Sequence, residues 1–101
     1  MNEREFQFEW DENKARANLV RHGISFEIAR TLFHDPNLLT IADLDHGESE
    51  ERWFSIGTAS NNAMLVVVYT WIEINPSLTK IRIISARRAT TTEIREYEGN
   101  L

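Results

Sequence analysis

Cysteine is absent from the 101 residues, which removes disulfides, thiolate metal sites and a cysteine nucleophile together. Long apolar runs are missing as well. The longest, Ala63 to Tyr69, falls far short of the ~18 uncharged apolar residues of a membrane span. The opening MNEREFQFEW carries acids where a signal peptide has a basic start and an apolar core, so the chain is expected to be cytoplasmic, with no membrane partner. A basic surplus is also lacking. Eleven Lys and Arg against sixteen Asp and Glu give a net charge of −5, which argues against a broad cationic surface for nucleic acid. The charge is nonetheless segregated. Residues 1–50 hold five basic and eleven acidic side chains and residues 51–101 hold six and five, so the halves carry −6 and +1. A local basic site fits the second half, and an acidic surface suited to a basic protein partner fits the first.

What is present is the make-up of one folded domain, with 42% hydrophobic and 27% charged residues. Glu5 to Trp10 alternates, Phe6, Phe8 and Trp10 against Glu5, Gln7 and Glu9, which predicts a half-buried strand. Asp11 stands at the N-cap of a first helix that Gly23 closes, with Ala15, Leu19 and His22 on one helical face. Ser25 caps a second helix, with Phe26, Ala29, Leu32 and Phe33 at helical spacing until Asp35-Pro36 ends it. Leu38 to Ile41 begins another strand, and 43–51 reads as an acidic loop. Three β-rich stretches follow, at Arg52 to Ala59, Met64 to Ile72 and Lys80 to Arg87, the first two joined by a turn at Ser60-Asn61-Asn62. One of Thr90, Thr91 and Thr92 caps a last short helix running through Tyr97. The expected class is α+β: an antiparallel sheet of about four strands packed against two N-terminal helices, with a short C-terminal helix.

Three ordered blocks carry a resemblance over nearly the whole chain: FEWDENKARANLVRHGISFEIARTLF at 8–33, DPNLLTIADLDHGESEERWFSIGTASNNAMLVVVYT at 35–70 and RIISARRATTTEIREYE at 82–98. They resemble the BrnT family of toxins. The resemblance implies a RelE-like fold, metal-independent cleavage of RNA with no cofactor, and growth inhibition. It also implies neutralisation by a BrnA-type antitoxin whose ribbon-helix-helix part would bring the complex to operator DNA. The stretch between Thr70 and Lys80 is longer than the family's short hairpin.

Metal-free cleavage through the ribose 2′-OH needs a base, cations for the developing phosphorane and an acid for the leaving oxygen. Arg52, Arg82 and Arg87 are candidates for the cationic role, since a guanidinium holds two phosphate oxygens and stays charged. Strand alternation places Arg82 on the face opposite Ile81, Ile83 and Arg87. Tyr69 and His22 are candidate proton-transfer groups, and Glu93 a carboxylate base near the arginines. Lys14, Arg88 and His46 are candidates for RNA contact. For each there is a plainer role: solvated edge charge for the arginines, core tyrosine for Tyr69, helix-end cap for His22, exposed loop residue for His46. Two other readings remain open at this point. Asp43, Asp45, His46 and Glu48 would supply donors for a metal-dependent nuclease. Alternatively the chain is a non-catalytic binding component of a transcriptional repressor complex.

Overall fold

The computed structural model describes residues 5–42 and 52–101. In chain order the elements are β1 (Glu5–Glu9), α1 (Glu12–His22), α2 (Phe26–Ala29) running into a 3-10 helix (Arg30–His34), β2 (Leu39–Ala42), β3 (Arg52–Thr58), β4 (Met64–Asn75), β5 (Leu78–Arg88) and α3 (Thr91–Glu98). The acidic loop 43–51, with His46 and the rest of the proposed metal-donor set, lies outside the described residues.

Local chemistry sets the helix ends where the sequence places them. The Asp11 carboxylate accepts the N–H groups of Asn13 (2.8 Å) and Lys14 (3.1 Å). Gly23 closes α1 at φ 71°, a left-handed conformation that a side chain would strain. Ser25 caps α2 through the N–H of Ile28. Of the three threonines, Thr90 is the cap of α3, and it forms a reciprocal capping box with Glu93. The second helix is not continuous. Thr31 turns its hydroxyl back onto the Ile28 carbonyl at 2.6 Å, and from there the chain tightens into the 3-10 turn that Asp35 ends.

The sheet corrects the expected one. It has five strands in the order β1-β5-β4-β3-β2, and β1 runs parallel to β5 while the other pairs are antiparallel. The alternation of Phe6 and Phe8 marks a strand but says nothing of its partner. Two helices and three strands intervene before β5 returns to take it. The expected loop around Trp71 to Thr79 is also mostly strand. β4 continues to Asn75 and β5 begins at Leu78, so only Pro76 and Ser77 turn.

The inner face of the sheet, against α2 and the 3-10 helix, buries Phe26, Leu32, Leu65, Val67, Ile81 and Ile83 almost completely, each worth ~1.5–3 kcal/mol of apolar transfer. The outer face buries Ile56 and Val66 beneath Tyr97 of α3. β4 is thus covered on both sides along its first half, as its unbroken apolar run requires. α1 turns a polar residue inward. Leu19 is half exposed and His22 exposed, while Asn18 is buried at the joint with β5. Its amide donates to the carbonyls of Ala86 and Ile24 (both 2.9 Å), and its oxygen accepts the Ala86 N–H (3.1 Å). A side chain thereby serves β5 as a strand partner beyond the end of β1, satisfying backbone groups that burial would otherwise leave unpaired. No helix among the described residues is long and apolar enough to cross a membrane.

Candidate active site

Register decides where the arginines point. Thr70 of β4 pairs with Arg52 of β3 on one side and Arg82 of β5 on the other, and Glu9 of β1 pairs with Arg82. Glu9, Arg82, Thr70 and Arg52 therefore form one row on the outer face. Arg82 and Arg87 are an odd number of residues apart and should face opposite ways. They do not, because the β4–β5 ladder slips between Val68 and Tyr69, so that Val68 meets Ser85 while Tyr69 meets Ile83. Ile84 is the extra residue of this bulge, and Arg87 comes into register with Val66, four residues from Thr70. Since Val66 and Thr70 share a face, so do Arg87 and Arg82. Strand spacings put the Arg52 and Arg82 backbones ~10 Å apart, and Arg82 and Arg87 ~13 Å apart. Both gaps lie within the combined reach of two arginine side chains.

Each guanidinium is held differently. Arg82 is about half exposed and meets Glu9 at 3.6 Å, a carboxylate that Lys80 also approaches at 3.8 Å. Arg87 donates two bonds to Glu93, at 2.7 and 2.8 Å. The same carboxylate accepts the Thr90 N–H at 2.8 Å. These bonds, that from Arg87 foremost, carry the Glu93 carboxyl down from its usual 4.5 to about 2, and Glu93 in turn raises Arg87. A carboxylate that weakly basic, already accepting three hydrogen bonds, is a poor proton acceptor. The expectation of Glu93 as a base gives way to a carboxylate that fixes the direction of Arg87.

Beside this face, at the edge where α1 meets the bulge, lies a cleft of about 190 Å³ lined by Lys14, Asn18, Arg21, His22, Ile84 and Ser85. Positions 14, 18, 21 and 22 fall on one side of α1, so one helical face delivers two cations and an imidazole to the strand segment between Arg82 and Arg87. Lys14 and Arg82 act together on Asp11, whose carboxyl is lowered chiefly by the Lys14 N–H and further by both charges. Asn18, Arg21 and Ser85 escaped the sequence reading. The signal for the first two is the i, i+4, i+7, i+8 spacing from Lys14, which the apolar residues Ala15 and Leu19 interleave.

Other candidates lie elsewhere. Tyr69 is on the inner face, 5% exposed, its hydroxyl 2.8 Å from Ser55 Oγ, which is 3.0 Å from Thr40 Oγ1. The full thickness of the sheet separates it from the arginine row. Arg88 pairs with Leu65, an inner-face residue, and so points away from Arg82 and Arg87. His34 lies in a separate hollow with Asp35 and Thr58. Among the described residues no three His, Asp or Glu side chains converge as metal ligands.

This architecture is shared by a solved ribonuclease toxin. The crystal structure of the Brucella abortus ribonuclease toxin BrnT is similar with a TM-score of 0.61, covering 86% of this chain and all of that one at 19% identity. The family model for the ribonuclease toxin BrnT of type II toxin–antitoxin systems matches residues 10–93. The chain belongs to the BrnT family. That match runs from the start of α1 through Arg87 to Glu93, and so takes in the arginine row, the cleft and the Arg87–Glu93 pair. No curated protein sequence matches the chain.

Proposed function

We propose that this toxin is an endoribonuclease that cleaves RNA by attack of the ribose 2′-OH, without a metal ion, on the outer face of its sheet. The observation that carries the proposal is the shared face of Arg52, Arg82 and Arg87, produced by the bulge at Ile84, beside a cleft that presents Lys14, Arg21 and His22. Arg52 and Arg82, across Thr70, hold the non-bridging oxygens of the scissile phosphate. Arg87, aimed by Glu93, meets the charge that grows on the phosphorane. Lys14 and Arg21 take a flanking phosphate, and His22, at the end of α1, moves the proton. A net charge of −5 is no obstacle to this, because the field that matters is that of the cationic face. Tyr69 and Arg88 have no part in the reaction on this reading.

The chain is inhibited by a BrnA-type antitoxin, and the pair together occupies operator DNA through the antitoxin's ribbon-helix-helix part. The test is cleavage of a labelled oligoribonucleotide by purified toxin in excess EDTA. The wild type is expected to cut, and Arg82→Ala to lose about 100- to 1000-fold in rate, the usual cost of one transition-state donor. Intact RNA with the wild type would reject catalysis and favour a purely protein-binding role. Cleavage abolished by EDTA alone would favour a metal-dependent nuclease.

A further inference from the structure

Cleavage through the ribose 2′-OH moves two protons, one off the attacking hydroxyl and one onto the departing 5′ oxygen. Those oxygens lie on opposite sides of phosphorus in an in-line displacement, so the site calls for a proton-transfer group on each side. His22 supplies one of them. Glu93 is withdrawn by its bonds to Arg87 and Thr90, which leaves the second place to be filled.

The row that holds Arg82 and Arg52 also holds a carboxylate, that of Glu9 at the end of β1. Parallel register sets Glu9 directly beside Arg82 on the outer face. One of its oxygens, Oε2, stands 3.6 Å from Arg82 Nη1, and the other, Oε1, stands 3.8 Å from Lys80 Nζ. Both separations are longer than a hydrogen bond. Two cations therefore hold the carboxylate by charge while its lone pairs stay open, and its side chain is two-fifths exposed. The other carboxylate that feels Arg82, that of Asp11, spends Oδ1 on the N–H groups of Asn13 and Lys14 as the cap of α1. A phosphate held by the Arg82 guanidinium carries its own ribose beside it, and a carboxylate 3.6 Å from that guanidinium is then within reach of the 2′-OH.

We propose that Glu9 is the general base of the cleavage. The assignment rests on the ribonuclease reading above and fills the role that reading leaves open. The Glu9 carboxylate takes the 2′ proton as O2′ bonds to phosphorus, the bond from phosphorus to O5′ breaks, and the His22 imidazolium gives its proton to the departing oxygen. The products are a 2′,3′-cyclic phosphate and a 5′-hydroxyl end, and no other reactant is consumed.

The test compares wild type, Glu9→Gln, Glu9→Asp and His22→Ala in the full chain, each checked for folding by its denaturation midpoint. Two substrates are used: a labelled oligoribonucleotide, and the same oligomer with sulfur in place of the 5′ oxygen at the linkage the wild type cuts. A sulfur leaving group departs without a general acid. On the natural oligomer Glu9→Gln is expected to lose about 100- to 10,000-fold in kcat with KM no higher, the range for a general base, and Glu9→Asp to fall between it and the wild type. On the sulfur substrate His22→Ala should recover and Glu9→Gln should stay slow. A kcat for folded Glu9→Gln within threefold of the wild type would overturn the assignment. So would recovery of Glu9→Gln on the sulfur substrate, which would make Glu9 the acid, or a loss confined to KM, which would make it only a support for Arg82. A wild type that cuts no RNA would reject the ribonuclease reading and this assignment with it, whereas a wild type that cuts beside an equally fast Glu9→Gln rejects the assignment alone.

Discussion

Replacing Asn18 tests how the cleft is built, and the structure sets the size of the effect. Its amide makes three bonds, two to Ala86 and one to Ile24, and those partners are 0% and 4% exposed. Asn18→Leu keeps most of the volume but strands one N–H and two carbonyls away from water. At about 1–3 kcal/mol for each buried polar group left unmet, and with carbonyls the more tolerant, the loss should be about 3 kcal/mol. Asn18→Ala opens room for water to bridge the gap and should cost about 2 kcal/mol. For a domain of this size, 3 kcal/mol corresponds to a fall in Tm of about 10–25 °C. Urea unfolding followed by circular dichroism measures it, with an unchanged m-value showing that the native state is otherwise intact. Asn18→Asp should be no better, since a carboxylate can accept from Ala86 but donate to neither carbonyl. A loss below about 1 kcal/mol in Asn18→Leu would refute the view that this side chain docks α1 on β5.

Glu93→Gln removes the charge that aims Arg87. The folded carboxyl at about 2 lies below its usual 4.5, so the unfolded chain binds more protons and the pair's contribution is complete above pH 4.5 and lost as pH falls toward 2. The full shift would be about 3 kcal/mol, and screening of the half-exposed guanidinium leaves about 1–2 kcal/mol. The stability gap between wild type and variant should therefore be flat above pH 5 and close between 4.5 and 2, and a gap constant through that range would contradict an ionic pair. Gly57→Ala should cost about 1–3 kcal/mol. The added Cβ would meet Leu38 Cδ1 at 2.9 Å, Asp35 Oδ2 at 3.1 Å and Leu32 Cγ at 3.2 Å. A thermal melt unchanged from the wild type would show that the 3-10 turn yields freely.

Asp35 ties that turn to its surroundings. Burial raises its carboxyl, but the N–H groups of Thr58 and Asn37 and the hydroxyl of Tyr97 together hold it below the usual carboxylate range. Its Oδ2 accepts Tyr97 at 2.7 Å and the Thr58 N–H at 2.8 Å. One carboxylate thus ties α3 to the end of β3, and α3 carries Glu93. The direction of Arg87 is in this way linked to the stability of the sheet's far edge.

Some of this protein was written in short stretches of sequence. Asp11, Gly23, Ser25 and Thr90 mark helix ends because a cap acts within about four residues of itself, and the turn at Ser60-Asn61-Asn62 needs only its neighbours. The arginines could be named as candidates for the same reason, from residue type alone. Their common face could not. A bulge at Ile84 looks in sequence like any other β-branched residue, and only pairing with β4 shows that one residue is extra there. The partner of β1 and the role of Asn18 as a substitute strand likewise depend on segments distant in the chain. Side-chain alternation fixes a face relative to its own strand. Which strands meet, and in what register, is settled by burial of the whole sheet at once.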